Sequence, residues 1–109
     1  MSWSDSEISL EFDAENLRQL LLQGQKGAQS NYCHFQIVRW CGLLVRHLRQ
    51  QDNLHPLIDI ADDVVVQWEL HLATNYTVTQ MDKFSQSDLV LPKKHFSHWL
   101  KLLDRHNHV

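Results

Sequence analysis

Along residues 28–51, AQSNYCHFQIVRWCGLLVRHLRQQ, apolar side chains recur at Cys33, Ile37, Trp40, Cys41, Leu44, Val45 and Leu48. This is the spacing of one face of an α-helix. The run contains no acidic residue, no Pro and a single Gly, Gly42. Phe35, Val38 and Leu43 widen the apolar surface beyond one stripe. A helix apolar over so much of its circumference must be covered on more than one side. The pattern therefore predicts a central helix over 28–51, capped by Ser30 or a residue close to it.

The flanking segments repeat the helical period. Asp13 is a good N-cap, with Phe12 before it and Leu17 four residues beyond it as a candidate hydrophobic staple. Leu17, Leu20 and Leu21 give the first helix a core face, and Gly24 and Gly27 are expected to stop it. QQDNLHP (50–56) reads as a turn, with Asn53 as a cap candidate and Pro56 in the first turn of a third helix. That helix runs to about residue 74. It sets Leu57, Ile58, Ala61, Val64, Val65, Trp68 and Leu72 on one face, and Asp59, Asp62, Asp63 and Glu69 mostly on the other. Pro92 opens a last helix with Phe96, Trp99, Leu100 and Leu103 on one side, before a polar tail RHNHV expected to fray. Between them YTVTQ and DLVL have strand character, so a minor β-hairpin around 76–91 is the alternative to a packed loop. EISLEF (7–12) alternates and admits a short strand, but residues 1–11 read better as a partly flexible lead-in. The fold class is all-α: a small four-helix bundle in a single domain spanning 1–109.

Composition agrees. The 109 residues include only three Gly and two Pro, which excludes a turn-rich β-sandwich or barrel. Four Trp are many for this length, and Trp40, Trp68 and Trp99 fall at core positions. The polar, acidic start does not resemble a signal peptide, and no apolar run reaches the length of a membrane span. With no export signal, Cys33 and Cys41 read as reduced thiols of a cytoplasmic protein. In one helix they stand about 12 Å apart along the axis, too far for a disulfide.

Charge changes the picture more. The net charge of −3 hides a segregation. Asp5, Glu7, Glu11, Asp13 and Glu15 face only Arg18 in the first segment. Lys26, Arg39, Arg46 and Arg49 occupy 26–51 without an acid, and 52–72 carries Asp52, Asp59, Asp62, Asp63 and Glu69 without a Lys or Arg. Lys93, Lys94, Lys101 and Arg105 oppose Asp104 at the end. Arg39, Arg46 and Arg49 share one side of the central helix with Gly42 between them, where a polymer backbone or another helix could come close. The plain expectation is that the central helix pairs with the acidic third helix, with these charges solvated or loosely bridged to Asp59, Asp62, Asp63 or Glu69. The alternative is a basic face that tracks phosphates, which requires Lys93, Lys94 and Lys101 beside the arginines. The acids in turn are candidates for a basic partner.

Motifs for chemistry are sparse. His95 and His98, three apart on the last helix, with His106 and His108 following, could contribute to a zinc site only with further ligands and supporting hydrogen bonds. No HExxH or CxxC is present, so no metal and no cofactor is expected. The run Arg49–His55, RQQDNLH, resembles the Arg…His spacing of HEPN ribonucleases, in which the His has the proton-transfer role. Its polar middle followed by Pro56 reads more simply as a turn. The acids of the third helix are similar to those with which all-α nucleotide pyrophosphatases hold Mg²⁺, but here a single helix supplies them. Near the N-terminal end of that helix Asp59, Asp62 and Asp63 are also favoured by the dipole. There is no Gly-rich phosphate loop and no GxSxG.

The expectation is therefore a non-enzymatic helical subunit or adaptor that works through protein–protein contacts in a larger assembly, away from membranes. Three alternatives stand beside it. By architecture the bundle looks like the small helical subunits of CRISPR effector complexes, which line a nucleic-acid groove. The acids suit an acidic inhibitor or immunity protein, and the Arg49…His55 run a HEPN-type RNase.

Overall fold

The computed structural model describes residues 8–26, 32–52, 55–75 and 90–107. Among them are four helices and no strand: α1 (Ala14–Gln25), α2 (His34–Gln51), α3 (Pro56–Asn75) and α4 (Lys93–Asn107). Their packing buries one contiguous apolar cluster. The small all-α bundle expected from periodicity is what forms. The hairpin expected around 76–91 falls almost wholly outside the described residues. No described helix is long and apolar enough to cross a membrane.

Local chemistry sets each helix start. Asp13 is extended at φ −143° and ψ 170°, and its Oδ1 accepts the Asn16 N–H at 2.7 Å, so the expected N-cap of α1 is present. Asn16 Nδ2 in turn donates to the Glu11 carbonyl at 3.0 Å. The lead-in is seated there: Ile8 is buried, and the Leu10 carbonyl accepts the Trp40 indole N–H at 3.2 Å.

Helix α2 begins later than periodicity suggested. Its N-cap is Cys33, whose N–H donates to the Gln36 side-chain oxygen at 3.0 Å. This back-bond from the third helical residue satisfies an otherwise orphaned donor. Ser30 lies outside the described residues, as does Asn53. For α3 the cap is His55: its Nδ1 accepts the Leu57 N–H at 3.1 Å, and Pro56, which has no N–H to satisfy, occupies the first helical position. The last helix extends to Asn107, past the Arg105 at which the tail was expected to fray.

Gly24 does not stop α1. It is buried inside that helix, and a Cβ built on it would overlap the ring of Phe96 from α4. The missing side chain lets α1 and α4 close on each other, which propensity alone could not show. Gly27 lies outside the described residues.

The helices associate chiefly as two pairs, α2 with α3 and α1 with α4, while α3 also meets α4 and α1 meets α2. Trp40, Trp68 and Trp99 are all buried, as expected, with Phe96 set edge-on to Trp99 at 5.2 Å. Full burial of a large apolar side chain is worth about 1.5–3 kcal/mol, so these rings are principal holders of the bundle. Ile60 joins the core as well.

One buried polar residue ties three segments together. His34 opens α2, with one ring nitrogen, Nε2, 2.9 Å from the Gly24 carbonyl and the other, Nδ1, accepting the Leu91 N–H at 2.8 Å. An acceptor at Nδ1 requires the proton on Nε2, which then donates to Gly24. The ring also packs on Phe96 at 4.6 Å. Burial holds its pKa below the ordinary imidazole value, opposed only in part by the Gly24 hydrogen bond.

Candidate partner-binding groove

Helices α2 and α3 lie antiparallel: Phe35 stacks on Trp68 at 6.2 Å, and Gly42 is level with Val65. Where Gly42 lacks a side chain, the nearest outside atom to a Cβ would be Val65 Cγ2 at 3.8 Å, so this point of the seam is open rather than filled. The result is a groove of about 430 Å³. Gly42, Leu43, Val45 and Val65 form its floor, Arg39, Arg46 and Arg49 one rim, and Asp62 faces them from α3.

The rim charges are not equivalent. Arg39 lies over the Phe35 ring at 5.5 Å, a cation–π contact that continues the Phe35–Trp68 stack. Arg46 and Arg49 are exposed, and among the described residues neither forms an ion pair with an acid. Arg18 pairs with Asp104, joining α1 to α4. This pair is partly exposed and so contributes little. Among the described residues Arg46 and Arg49 thus make no ion pair with Asp59, Asp62, Asp63 or Glu69.

The acids of α3 divide. Asp63 turns toward α4, where its Oδ2 accepts the Trp99 indole N–H at 2.8 Å and its Oδ1 lies 3.4 Å from Gln67 Nε2. It is a structural anchor for Trp99. Asp62 lines the groove, while Asp59 and Glu69 are exposed. Beside them Val66 and Leu70 are 40% and 53% exposed, high for large apolar residues. Lys93, Lys94 and Lys101 are exposed on α4, which packs on α1 and α3. Among the described residues no α4 side chain lines the groove. The bundle therefore does not add the lysines to the arginine rim.

The chemical motifs also separate. Arg49 lines the α2–α3 groove, whereas His55 borders another cavity of about 490 Å³ between the starts of α1 and α3. His55 is already engaged as the α3 cap. Among the described residues no three His, Cys, Asp or Glu side chains are grouped to hold a metal ion. His95 stacks on Trp99 at 5.7 Å. Its pKa is held down by burial first, then by Lys94, with Asp63 opposing and His71 and His98 adding to the depression. The side chains of His106 and His108 lie outside the described residues. Cys41 is fully enclosed, and burial pushes its thiol up to about 12, so it is no ready nucleophile.

Compared with known proteins, the chain matches no family model, and neither the curated proteins nor the solved structures include a significant match. The groove must be read from its own chemistry.

Proposed function

We propose that this chain is a non-enzymatic helical module that binds a partner protein in the α2–α3 groove, as a subunit of a larger assembly. The partner segment is apolar along one side and acidic along its edges. The observation that carries this reading is the open seam at Gly42, with an apolar floor and exposed, unbridged Arg46 and Arg49 above it. An apolar strip entering the floor would exclude water, and its carboxylates would meet guanidinium groups suited to bidentate pairing. Arginine at such a rim favours orientation and encounter rate as much as affinity.

The test uses a synthetic helical peptide with Leu every three or four residues and Glu on the flanks, titrated into labelled protein by NMR. The expected result is a set of shifts centred on Gly42, Leu43 and Val65, and at least a tenfold loss of affinity in Arg46→Glu/Arg49→Glu. A single-stranded oligonucleotide is titrated in parallel. Oligonucleotide binding at the same residues, weakening by about 0.7 logarithmic units per logarithmic unit of salt for each phosphate contact, with no peptide binding, would replace this reading with the nucleic-acid one.

A further inference from the structure

Resting on that reading of the groove, we infer that its occupant is a second copy of this chain, which presents the outer stripe of α3 to the arginine rim. The spacing of both surfaces carries the inference. On α2 the rim runs Arg39, Gly42, Arg46, Arg49, separated by three, four and three residues. On α3 the outer stripe runs Asp59, Asp62, Val66, Glu69, with the same separations. These are positions that stay on one face of a helix and mesh with a partner helix. Laid antiparallel, the two stripes match at every position: Arg39 with Glu69, Gly42 with Val66, Arg46 with Asp62 and Arg49 with Asp59. Three positions pair opposite charges, and the fourth sets an exposed valine against a residue without a side chain.

The bundle already has the shape this pairing needs. Because α2 and α3 are antiparallel, with Gly42 level with Val65, a two-fold axis running along the pair brings α3 of one copy onto α2 of the other without changing its level. The contact is then made twice, as in a closed two-fold dimer. A two-fold axis across the helices would instead oppose arginine to arginine.

Pairing within one chain does not meet the same needs. Arg46 and Asp62 do face each other across their own groove, yet among the described residues no ion pair joins them. Such a bridge would also leave Val66 and Leu70 at 40% and 53% exposure. A second copy covers both.

Sedimentation equilibrium on the full chain tests this. At about 0.1 M salt the mass should rise with concentration from the 12.9 kDa of one chain toward twice that value. Dimerisation should weaken at about 1 M salt, where charges are screened within roughly 3 Å. Arg46→Glu/Arg49→Glu alone, and Asp59→Lys/Asp62→Lys alone, should each be monomeric. Mixed in equal amounts they should re-form a dimer, because each reversed surface meets its reversed counterpart. Gly42→Gln guards against misfolding: its Cβ meets only Val65 Cγ2, at an ordinary contact distance of 3.8 Å, so it should keep the helical spectrum and melting temperature while abolishing the dimer. A wild type that remains one chain at high concentration, or reversed variants that still dimerise, overturns the inference. If such a monomer still binds the Leu/Glu peptide at Gly42, the self-pairing alone is wrong. If it binds neither, the reading of the groove is wrong with it.

Discussion

His34 should make the stability of this bundle fall in mild acid, with a sign and a slope that the geometry sets. In the neutral ring Nε2–H donates to the Gly24 carbonyl and Nδ1 accepts from the Leu91 N–H. A second proton would sit on Nδ1 and face the Leu91 donor, so charging the ring both desolvates an ion and breaks a buried hydrogen bond. The folded-state pKa is accordingly lowered, and burial is the larger cause. In the unfolded chain the imidazole titrates near the usual value of about 6.5. Unfolded protein thus takes up the proton first as pH falls. The contribution is complete above about pH 6.5, is lost on going down toward the depressed folded pKa, and then levels off. Between the two values the loss approaches about 1.4 kcal/mol per pH unit. The perturbation is His34→Gln, whose amide can donate to Gly24 and accept from Leu91 but carries no titration. Urea midpoints at about pH 8 and about pH 5 should fall more for wild type than for the variant. His95, which is also held below its ordinary value, is present in both and cancels in the difference. Equal losses in the two proteins would refute the argument. At about pH 8 the Gln variant should lie within roughly 1–2 kcal/mol of wild type, whereas His34→Ala, which orphans two buried backbone groups, should cost about 2–5 kcal/mol.

Two further substitutions probe contacts between distant segments. Gly24→Ala should destabilise the protein by about 1–3 kcal/mol in thermal unfolding, because its Cβ overlaps the Phe96 ring; this outweighs the gain of up to about 1 kcal/mol in helix propensity, and a raised melting temperature would contradict it. Asp63→Ala should cost about 1–3 kcal/mol by leaving the Trp99 indole N–H without its acceptor, and should shift that indole proton in NMR spectra. The same change made on a Trp99→Phe background should cost less, and an equal cost there would remove the hydrogen bond from the account.

What the sequence made legible was whatever depends on neighbours three or four residues away. The four helices, the Asp13 cap and the burial of Trp40, Trp68 and Trp99 follow from local period and local hydrogen bonding. What it hid depends on which helix meets which. Gly24 looks like a stop signal until Phe96 of α4 is laid against it. Asp63 looks like one more surface acid until Trp99 reaches it, and nothing in the local pattern marks out His34 before Gly24 and Leu91 meet its two nitrogens. The start of α2 was missed for a related reason: Ser30 is the better cap by propensity, but Gln36 folding back on Cys33 satisfies the same need.

The charge segregation belongs to both kinds. Each block could be counted from the sequence, but a count does not say whether two blocks touch. Among the described residues no lysine of α4 lines the α2–α3 groove, where Arg46 and Arg49 share the lining with Asp62 of α3. Within one chain, α3 turns its core face inward, so Asp59, Val66 and Glu69 point outward from the helix that carries them. Only Asp62 sits where it can share the groove. Matched spacing on two adjacent helices that nonetheless face the same way is poorly used by the chain alone. It is fully used when a second surface is laid over the first, and for that reason the groove is read as an interface rather than as a leftover seam in the core.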